Sequence, residues 1–252
     1  MAISDDGVIN LLHETALAVQ AALDELEDWG PAGTRAGQYL SDLVADAAAL
    51  AVLGSAGVGI LSEESGLDGG ERELVVVVDP LDGSTNAARG IPWFGTSLCA
   101  VDRDGPQAAL VVDLPHGRTF TALRGGGAMV DGFALVPSGC TVPGEAVVAI
   151  SGLPAERLGW RQFRAMGAAA LDLCAVAEGT FDGYVDCSPS AHGPWDYLGG
   201  VLVCAEAGAV AADAFDRDLV TFDHRARRTP VAAATRELFD TLVTARRRLG
   251  DE

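Results

Sequence analysis

Val75-Val76-Val77-Val78-Asp79-Pro80-Leu81-Asp82-Gly83-Ser84 is the stretch that decides how this chain folds. Four consecutive β-branched residues predict a strand that is buried on both faces. The strand runs into two carboxylates three residues apart, on a turn set by Pro80 and Gly83. Because carboxylates at the end of a buried strand repel each other and are costly to desolvate, we expect cations to lie between them.

Several kinds of site compete for this stretch, the simplest being an ordinary Asp-Gly turn after a strand. A calcium loop of the EF-hand type needs acidic residues at alternate positions and a Glu at position twelve, and neither is present. Phosphoaspartyl phosphatases place their two Asp residues two apart and usually also use a lysine, whereas this chain contains no lysine. The same absence excludes Walker-type phosphate loops and Schiff-base chemistry, which leaves a carboxylate metal site.

The chain is strongly acidic, with a formal net charge of −19 over 252 residues. This excess of negative charge predicts neither a nucleic-acid nor a membrane partner, because a protein that binds either one needs a basic face. Two arginine clusters stand out, at residues 225–228 and 246–248, and we expect the second to be the solvated end of a C-terminal helix. An acidic protein that binds an anionic small molecule must invert its local field, which a bound divalent metal does directly.

The cysteines are odd in number, scattered and without a CxxC pair. This pattern argues against a disulfide framework and a zinc ribbon, and it indicates a reducing, cytoplasmic location. No basic segment leads into an apolar run at the N-terminus, so no secretion signal is predicted. The apolar stretch 47–61 is too short to span a bilayer and is interrupted by glycines. The five cysteines are Cys99, Cys140, Cys174, Cys187 and Cys204.

Hydrophobic periodicity divides the chain into two halves of different style. We expect an α+β half over residues 1–140, which carries Glu63 and the Asp79–Ser84 motif, and an α/β half over residues 141–252, which carries Trp195-Asp196. The predicted helices are 5–28, 41–53, 167–178, one starting near Trp195 and one closing the chain. The predicted strands are 57–61, 75–78, 95–101, 108–114, 119–123, 146–151, 183–186 and 229–233.

Three separated segments place carboxylates at the ends of predicted strands or helices. They are Glu63-Glu64, Asp79 with Asp82, and Asp196, which follows Trp195. Taken alone, Glu63-Glu64 would be interpreted as surface charge, and for Asp196 a role as partner of the helix dipole would be an alternative to a functional one.

Together these segments resemble the inositol monophosphatase family of magnesium-dependent, lithium-sensitive phosphatases. The motifs that carry the resemblance are Ser62-Glu63-Glu64-Ser65, Asp79-Pro80-Leu81-Asp82-Gly83-Ser84-Thr85-Asn86 and Trp195-Asp196, supported by Gly90-Ile91-Pro92, Gly125-Gly126-Gly127-Ala128 and Arg164-Ala165-Met166-Gly167. The resemblance implies a layered αβαβα sugar-phosphatase fold with a metal site where the two halves meet. It also implies a possible homodimer.

The resemblance further implies two or three Mg²⁺ ions, which prefer oxygen ligands. Carried over position by position, the metal ligands are Glu63, Asp79, the carbonyl of Leu81, Asp82 and Asp196. Glu63 also counts among the implied catalytic residues, with a water-activating pair formed by an Asp of the second helix and the hydroxyl of Ser84, where Thr is more usual. Asp42 matches the Asp position best, and Asp46 remains an alternative.

The implied substrate contacts include three departures from the family pattern. Ala168 stands where Thr is frequent, and the segment 187–194 is longer than usual. His192 in that segment is interpreted as a surface residue, with a role in substrate binding as the alternative. Arg35 stands where the loop before the second helix often carries Lys. The implied substrate-binding residues are Asp82, Gly83, Ser84, Gly167, Ala168, Asp186 and Asp196.

The implied reaction is in-line attack of a metal-activated water on a small polyol or sugar phosphate such as inositol 1-phosphate. The same chemistry on 3′-phosphoadenosine 5′-phosphate, fructose 1,6-bisphosphate or histidinol phosphate is an alternative. An adenine nucleotide would favour an aromatic or apolar shelf near the loops of the second half, and the sequence identifies none. An alternative of another class is a catalytically silent relative that binds metal or phosphate.

Overall fold

The computed structural model describes residues 4–35, 37–188 and 190–250. In these ranges the chain forms α-helices and two β-sheets. The helices are α1 (Asp5–Asp24), α2 (Leu40–Ala56), α3 (Ser84–Arg89), α4 (Ala169–Ala177), α5 (Pro194–Ala207) and α6 (Arg236–Arg248). A short 3₁₀ helix, Pro143–Glu145, lies between the sheets in sequence.

The first sheet is mostly antiparallel, with the strand order β2-β1-β3-β4-β5-β6-β7-β8. Only β1 and β3 pair in parallel within the described part of this sheet, which brings their C-terminal ends to the same edge. Its strands are β1 (Gly59–Ser62), β2 (Gly66–Asp68), β3 (Val75–Asp82), β4 (Gly95–Asp102), β5 (Gly105–Asp113), β6 (Arg118–Leu123), β7 (Gly127–Val130) and β8 (Phe133–Ala134).

The second sheet is mixed, with the strand order β10-β9-β11-β13-β12. The neighbours β10, β9 and β11 run parallel, and β13 and β12 are antiparallel to their partners. Its strands are β9 (Val147–Ser151), β10 (Gln162–Arg164), β11 (Gly183–Asp186), β12 (Val210–Asp213) and β13 (Pro230–Ala233).

The helices and sheets form five layers. Helices α1 and α2 cover one face of the first sheet, α4 and α5 lie between the two sheets, and α6 covers the outer face of the second. This αβαβα arrangement confirms the predicted fold class.

The valine run explains how the layers are held together. Val75 and Val77 pack in the same cluster as α4 and α5, whereas Val76 and Val78 pack against α1 and α2. Because side chains alternate along a strand, four consecutive valines place apolar surface on both faces. The prediction that this strand is buried on both faces is confirmed.

Element boundaries differ from the prediction at several places. Helix α1 ends at Asp24 rather than at residue 28, because Leu26 turns out of the helix and its N–H bonds to the carbonyl of Leu23 at 3.1 Å. Strands β2, β7, β8, β10 and β12 and helix α3 were not predicted. Each is short and shows little hydrophobic periodicity, and β7 begins at Gly127, one of the glycines that were interpreted as a turn.

The prediction of a solvated arginine cluster at the C-terminal helix is wrong for Arg246. This side chain is only 1% exposed, and its Nε–H donates to the carbonyl of Asp186 at 2.5 Å. A second donor of the guanidinium reaches the carbonyl of Ser188 at 3.3 Å. Arg247 pairs with Asp216 at 2.6 Å. The cluster therefore serves in part to anchor the end of β11, a contact across sixty positions that the local pattern cannot reveal.

Among the helices of the described ranges, none combines the length and the apolar character needed to cross a bilayer.

Candidate metal centre

The end of β3 is shaped by an irregular pairing with β4. Regular register is interrupted between Asp79 and Asp82, which places a bulge-like bend between the two carboxylates. The carbonyl of Pro80 within this bend accepts from the hydroxyl of Thr96 at 2.9 Å. The N–H of Leu81 donates to Asp79 at 3.0 Å. The backbone of the motif is thus fixed by its own neighbours, independently of any ligand.

Gly83 follows the bend and is required there for two reasons. Its φ is +85°, a left-handed conformation that favours glycine. A Cβ at this position would also lie 3.1 Å from the Cβ of Ala168 and 3.2 Å from the carbonyl oxygen of Gly167. Both predicted substrate-side residues, Gly167 and Ala168, therefore abut Gly83, and Ala168 itself is buried.

Three of the predicted ligands converge. Glu63, Asp79 and Asp196 each offer a carboxylate oxygen, and these oxygens all lie within 4.8 Å of one another. Glu63 follows β1 and Asp79 lies in the parallel strand β3, where Ser62 pairs with Val78, so that the two acids leave adjacent strands at the same edge. Asp196 comes from the first turn of α5 and is oriented by the N–H of Gly193, which donates to it at 2.6 Å.

Asp82 and Leu81 lie next to this cluster without joining its closest set. The carboxylate of Asp82 accepts from the N–H of Ala170 at 2.7 Å, at the start of α4. Repulsion from Asp196 contributes to the pKa of Asp82, which shows that the two carboxylates are electrostatic neighbours. The side chain of Leu81 is buried among the residues that pack against α1 and α2.

Two carboxylates of the cluster, Glu63 and Asp79, and the adjacent Asp82 have raised pKa values. Burial raises the pKa of Glu63 to about 8, and repulsion from Asp196 adds to the effect. Burial and repulsion from Asp196 also raise the pKa of Asp82 to about 7, against hydrogen bonds from the backbone. Burial, followed by repulsion from Glu63, raises the pKa of Asp79 well above its usual range. Carboxylate oxygens gathered in this way fit a hard divalent cation, which would displace these protons.

The two candidates for the water-activating Asp have different surroundings. Asp42 accepts from the N–H of Tyr39 at 2.8 Å and has its pKa raised by burial to about 6, while the nearby hydroxyl of Ser84 lowers this pKa slightly. Asp46 accepts from the hydroxyl of Ser62 at 2.5 Å and also from that of Ser65. Asp42 therefore lies against the predicted catalytic hydroxyl, whereas Asp46 fixes the serines on either side of Glu63-Glu64.

The loop that precedes α2 also reaches the site. Arg35 forms an ion pair with Glu64 at 2.6 Å, and Gln38 donates to the same carboxylate. The carboxylate of Glu64 is thus bound by side chains of the loop, whereas that of its neighbour Glu63 belongs to the acidic cluster.

The interpretation of His192 as a surface residue is wrong. Its side chain is 13% exposed and lies between Asp186, 3.7 Å from Nε2, and Asp196, 3.5 Å from Nδ1. The hydroxyl of Tyr184 lies 3.0 Å from Nε2. Burial opposes the charged form of His192, but the hydrogen bond and charge of Asp196 and the charge of Asp186 outweigh it and raise the pKa to about 9.

Asp186, the predicted substrate-binding acid, is completely buried behind this histidine. One carboxylate oxygen accepts from the N–H of Ser188 at 2.9 Å, and the other has no hydrogen-bond partner among the described residues. Burial raises the pKa of Asp186 to about 6. His192 separates Asp186 from the acidic cluster, so that a substrate hydroxyl would meet Asp186 only beside this histidine.

His224 is a residue of the site that sequence reasoning missed. Its Nε2–H donates to the carbonyl of Glu63 at 2.9 Å, and its ring lies 4.7 Å from that of Trp195. Arg227 lies over the same indole, 5.2 Å from the ring centroid. His224 thus joins the segment that carries Glu63 to the segment that carries Asp196. A single histidine 161 positions from Glu63 gives no local signal of this role.

Comparisons with known proteins by sequence profile, by sequence and by structure all find inositol monophosphatase-like proteins. The sequence profile of the inositol monophosphatase family matches residues 38–251. A fructose-1,6-bisphosphatase from Pyrococcus furiosus is 31% identical over 208 residues, which cover 81% of this chain and 82% of the relative. The Nus factor SuhB of Escherichia coli is 33% identical over 171 residues, and the match spans 61% of this chain and 62% of SuhB. The structure of an inositol monophosphatase from Anabaena superposes with a TM-score of 0.78 at 26% identity, with 94% of each chain covered.

The raised pKa values predict how stability depends on pH and metal. In the metal-free protein, Glu63 and Asp82 bind protons more tightly when folded than when unfolded, so their contribution to stability is full below about pH 4 and is lost as the pH rises through 7 and 8. His192 acts in the same direction, because its folded pKa is also raised. Mg²⁺ should offset this loss, so that the Mg²⁺-induced rise in Tm grows between about pH 6 and pH 8.5. Thermal scans with Mg²⁺ or with EDTA measure this rise in Tm. A rise that does not depend on pH would contradict the assignment of Glu63 and Asp82 as metal ligands.

The hydrogen bond from His224 to the Glu63 carbonyl predicts that this histidine affects metal binding without contacting the metal. His224→Ala removes the hydrogen bond to the Glu63 carbonyl and the contact with Trp195, so the Mg²⁺ concentration for half-maximal binding should rise roughly 10–100-fold. Calorimetric titration with Mg²⁺ measures the change. His13→Ala on α1 is the control and should bind Mg²⁺ as the unaltered protein does. Equal affinity in both variants would show that His224 does not position Glu63.

Proposed function

Because this chain belongs to the inositol monophosphatase family of phosphoric monoester hydrolases, we propose that it hydrolyses a small polyol or sugar phosphate, such as inositol 1-phosphate, with the help of Mg²⁺. The observation that carries the proposal is the convergence of Glu63, Asp79 and Asp196, whose oxygens lie within 4.8 Å of one another. These acids come from three separate segments. Asp79 is buried and Glu63 and Asp196 are half-buried, and their mutual repulsion favours a cation bound between them.

In this proposal, Glu63, Asp79, Asp82, Asp196 and the carbonyl of Leu81 hold two or three ions. Bound Mg²⁺ would supply a Lewis acid that activates water and neutralises phosphate charge. The contribution of the chain is to fix the ligands in advance. Asp79 and Asp196 each accept a backbone hydrogen bond, and Asp82 is held by the N-terminus of α4.

Ser84 and Asp42 would orient the attacking water. When the Ser84 hydroxyl donates to Asp42, the lone pairs of its oxygen remain free to accept a hydrogen from water. The raised pKa of Asp42, about 6, suits a group that accepts a proton near neutral pH. We place the substrate phosphate next to Ser84, against the backbone of Gly83 and beside Gly167, whose carbonyl borders Gly83.

Other substrates fit the same chemistry. The fructose-1,6-bisphosphatase among the relatives favours fructose 1,6-bisphosphate as an alternative substrate, and 3′-phosphoadenosine 5′-phosphate and histidinol phosphate require no different catalytic group. The relatives named Nus factor SuhB keep a second class open, a protein that binds metal or phosphate without turnover. The presence of Asp42 and Ser84 beside the acidic ligands favours catalysis, because a relative that only binds metal or phosphate needs no group to orient water.

We also propose a cytoplasmic enzyme that forms a homodimer and is inhibited by Li⁺. The five cysteines are unpaired, as expected in a reducing compartment. The other two properties follow the family and are tested by sedimentation and by titration with Li⁺ in the assay below.

Phosphate release in the presence of Mg²⁺ tests the proposed reaction. Inositol 1-phosphate, fructose 1,6-bisphosphate, 3′-phosphoadenosine 5′-phosphate and histidinol phosphate form the panel. Asp82→Asn should abolish release, because a charged ligand is lost, while the amide oxygen still accepts from Ala170 and the fold is retained. Circular dichroism and Tm provide the check on folding. Near-normal turnover by the Asp82→Asn variant would show that Asp82 is not a metal ligand. If the unaltered protein neither bound Mg²⁺ nor released phosphate, the result would favour the catalytically silent alternative.

Paired variants separate the two candidates for the water-activating residue. Asp42→Asn should lower kcat by roughly 10²–10⁴-fold with Mg²⁺ affinity little changed, since general-base assistance contributes about that much. Asp46→Asn should lower Tm, because it weakens the hydrogen bonds of Ser62 and Ser65, and should leave kcat within about tenfold. Steady-state kinetics and thermal scans on both variants measure these effects. The opposite ranking of kcat would assign the role to Asp46.

A further inference from the structure

His192 lies in the segment 187–194, which is longer than the family pattern leads us to expect. Its backbone is fixed, because its carbonyl accepts from the N–H of Arg228 at 2.9 Å and the two residues form an isolated antiparallel bridge. Its side chain is 13% exposed and packs beside the buried ring of Tyr184, with the ring centroids 6.4 Å apart. The imidazole is therefore held in place both by the backbone and by a neighbouring ring.

The two ring nitrogens of His192 face different partners. Nδ1 lies 3.5 Å from Oδ2 of Asp196, and Nε2 lies 3.0 Å from the hydroxyl oxygen of Tyr184. Without a hydrogen on Nδ1, the lone pair of this nitrogen would point at a carboxylate oxygen, and the two would repel each other. Nδ1 therefore carries a hydrogen whatever the charge of the ring, and in the neutral ring the hydroxyl of Tyr184 donates to Nε2 and maintains this tautomer.

The oxygen of Asp196 that faces His192 is the one that also accepts from the N–H of Gly193 at 2.6 Å. Two donors directed at Oδ2 fix the rotation of the carboxylate and leave Oδ1 available to a cation. Asp196 is half-buried and belongs to the three acids whose oxygens converge. Because Glu63 and Asp196 repel each other, a second donor on Asp196 helps to keep this acid in the cluster.

Asp186 lies behind the histidine and is completely buried. Its Oδ1 lies 3.7 Å from Nε2 of His192 and accepts from the N–H of Ser188 at 2.9 Å. Its Oδ2 is also enclosed, and its carbonyl accepts from Arg246 at 2.5 Å, which fixes the end of β11. A substrate hydroxyl could reach either carboxylate oxygen only if His192 moved away. The carboxylate of Asp186 is therefore placed to orient an imidazole.

We propose that His192 is a positioning residue for the metal ligand Asp196, and that Tyr184 and Asp186 orient this histidine. The inference rests on the proposed function and deepens it, because the acid that the family resemblance implies for substrate binding supports a metal ligand instead. In this role His192 touches neither the ion nor the substrate. The polyol or sugar part of the substrate is then bound without a hydrogen bond from a hydroxyl group to Asp186.

Two amide variants, each of which imitates one ring nitrogen, test the positioning role. In His192→Asn the amide nitrogen lies near the place of Nδ1 and can donate to Asp196, whereas in His192→Gln it lies near the place of Nε2 and cannot. Calorimetric titration with Mg²⁺ alone should give a Kd raised roughly 10–100-fold for His192→Gln and within about threefold of the unaltered protein for His192→Asn. Tyr184→Phe keeps the ring and should raise the Kd less than His192→Gln does. Circular dichroism and Tm in EDTA check that each variant folds.

His116 provides a matched control, because it is also a histidine beside an aspartate. Its Nδ1 lies 2.9 Å from the carboxylate of Asp113 at the end of β5, and neither residue belongs to the acidic cluster. His116→Gln should bind Mg²⁺ as the unaltered protein does. Equal weakening of Mg²⁺ binding in His192→Asn and His192→Gln would indicate a merely structural histidine. That result, or unchanged affinity in both variants, would overturn the positioning role.

Asp186→Asn separates the two roles that this acid could have. If Asp186 orients His192, the variant should weaken Mg²⁺ binding in the same direction as His192→Gln. If Asp186 contacts the substrate, the variant should instead raise KM at saturating Mg²⁺ and leave Mg²⁺ binding as it is. The second result would assign Asp186 to substrate binding and overturn its place behind the histidine.

Failure of the proposed function would give a different result from failure of this inference. Mg²⁺ binding that depends on His192, in a protein that releases no phosphate from any substrate, would support the positioning role and refute the phosphatase. Normal phosphate release with unchanged Mg²⁺ affinity in His192→Gln would do the reverse. If the unaltered protein bound no Mg²⁺ at millimolar concentration, both would be overturned.

Discussion

Glu63, Asp79 and Asp196 bring carboxylate oxygens within 4.8 Å of one another, with Asp79 buried and the other two side chains half-buried. At an effective dielectric constant of about 20, each ionised pair at this separation costs on the order of 3 kcal/mol. Three such pairs approach the whole free energy of unfolding of a typical domain. The folded chain therefore retains protons on these groups or binds cations there. The remaining architecture keeps the acids together in spite of this repulsion.

Both sheets contribute to holding them. The valine run fixes β3 between two helical layers, so that the bend between Asp79 and Asp82 cannot move without disturbing both cores. Asp196 is carried by α5, which lies between the two sheets. His224 then ties the carbonyl of Glu63 to the ring of Trp195. Repulsion is overcome by packing on elements that come from distant parts of the chain, which is why the site is rigid before a ligand arrives.

The sequence predicted those features whose cause is local. The two-faced burial of Val75 to Val78 follows from alternation along a strand. The layered fold was predicted from the resemblance of the motifs to those of the inositol monophosphatase family. Burial of polar side chains could not be predicted in the same way. His192 and Arg246 looked like surface residues because nothing near them in sequence shows what they contact. Arg246 is buried by a carbonyl sixty positions away, and His224 acts on a carbonyl 161 positions away. Such pairings exist only once the layers are stacked.

A count of charges connects the acidic cluster to the rest of the site. Glu63, Asp79, Asp82 and Asp196 carry four negative charges when ionised, which two divalent ions would balance, while protonated His192 balances Asp186. The site would then be close to neutral, and a phosphate dianion would find little net attraction there in a chain of charge −19. The attraction would then have to come from direct coordination of the phosphate oxygens by the ions rather than from the net charge of the site.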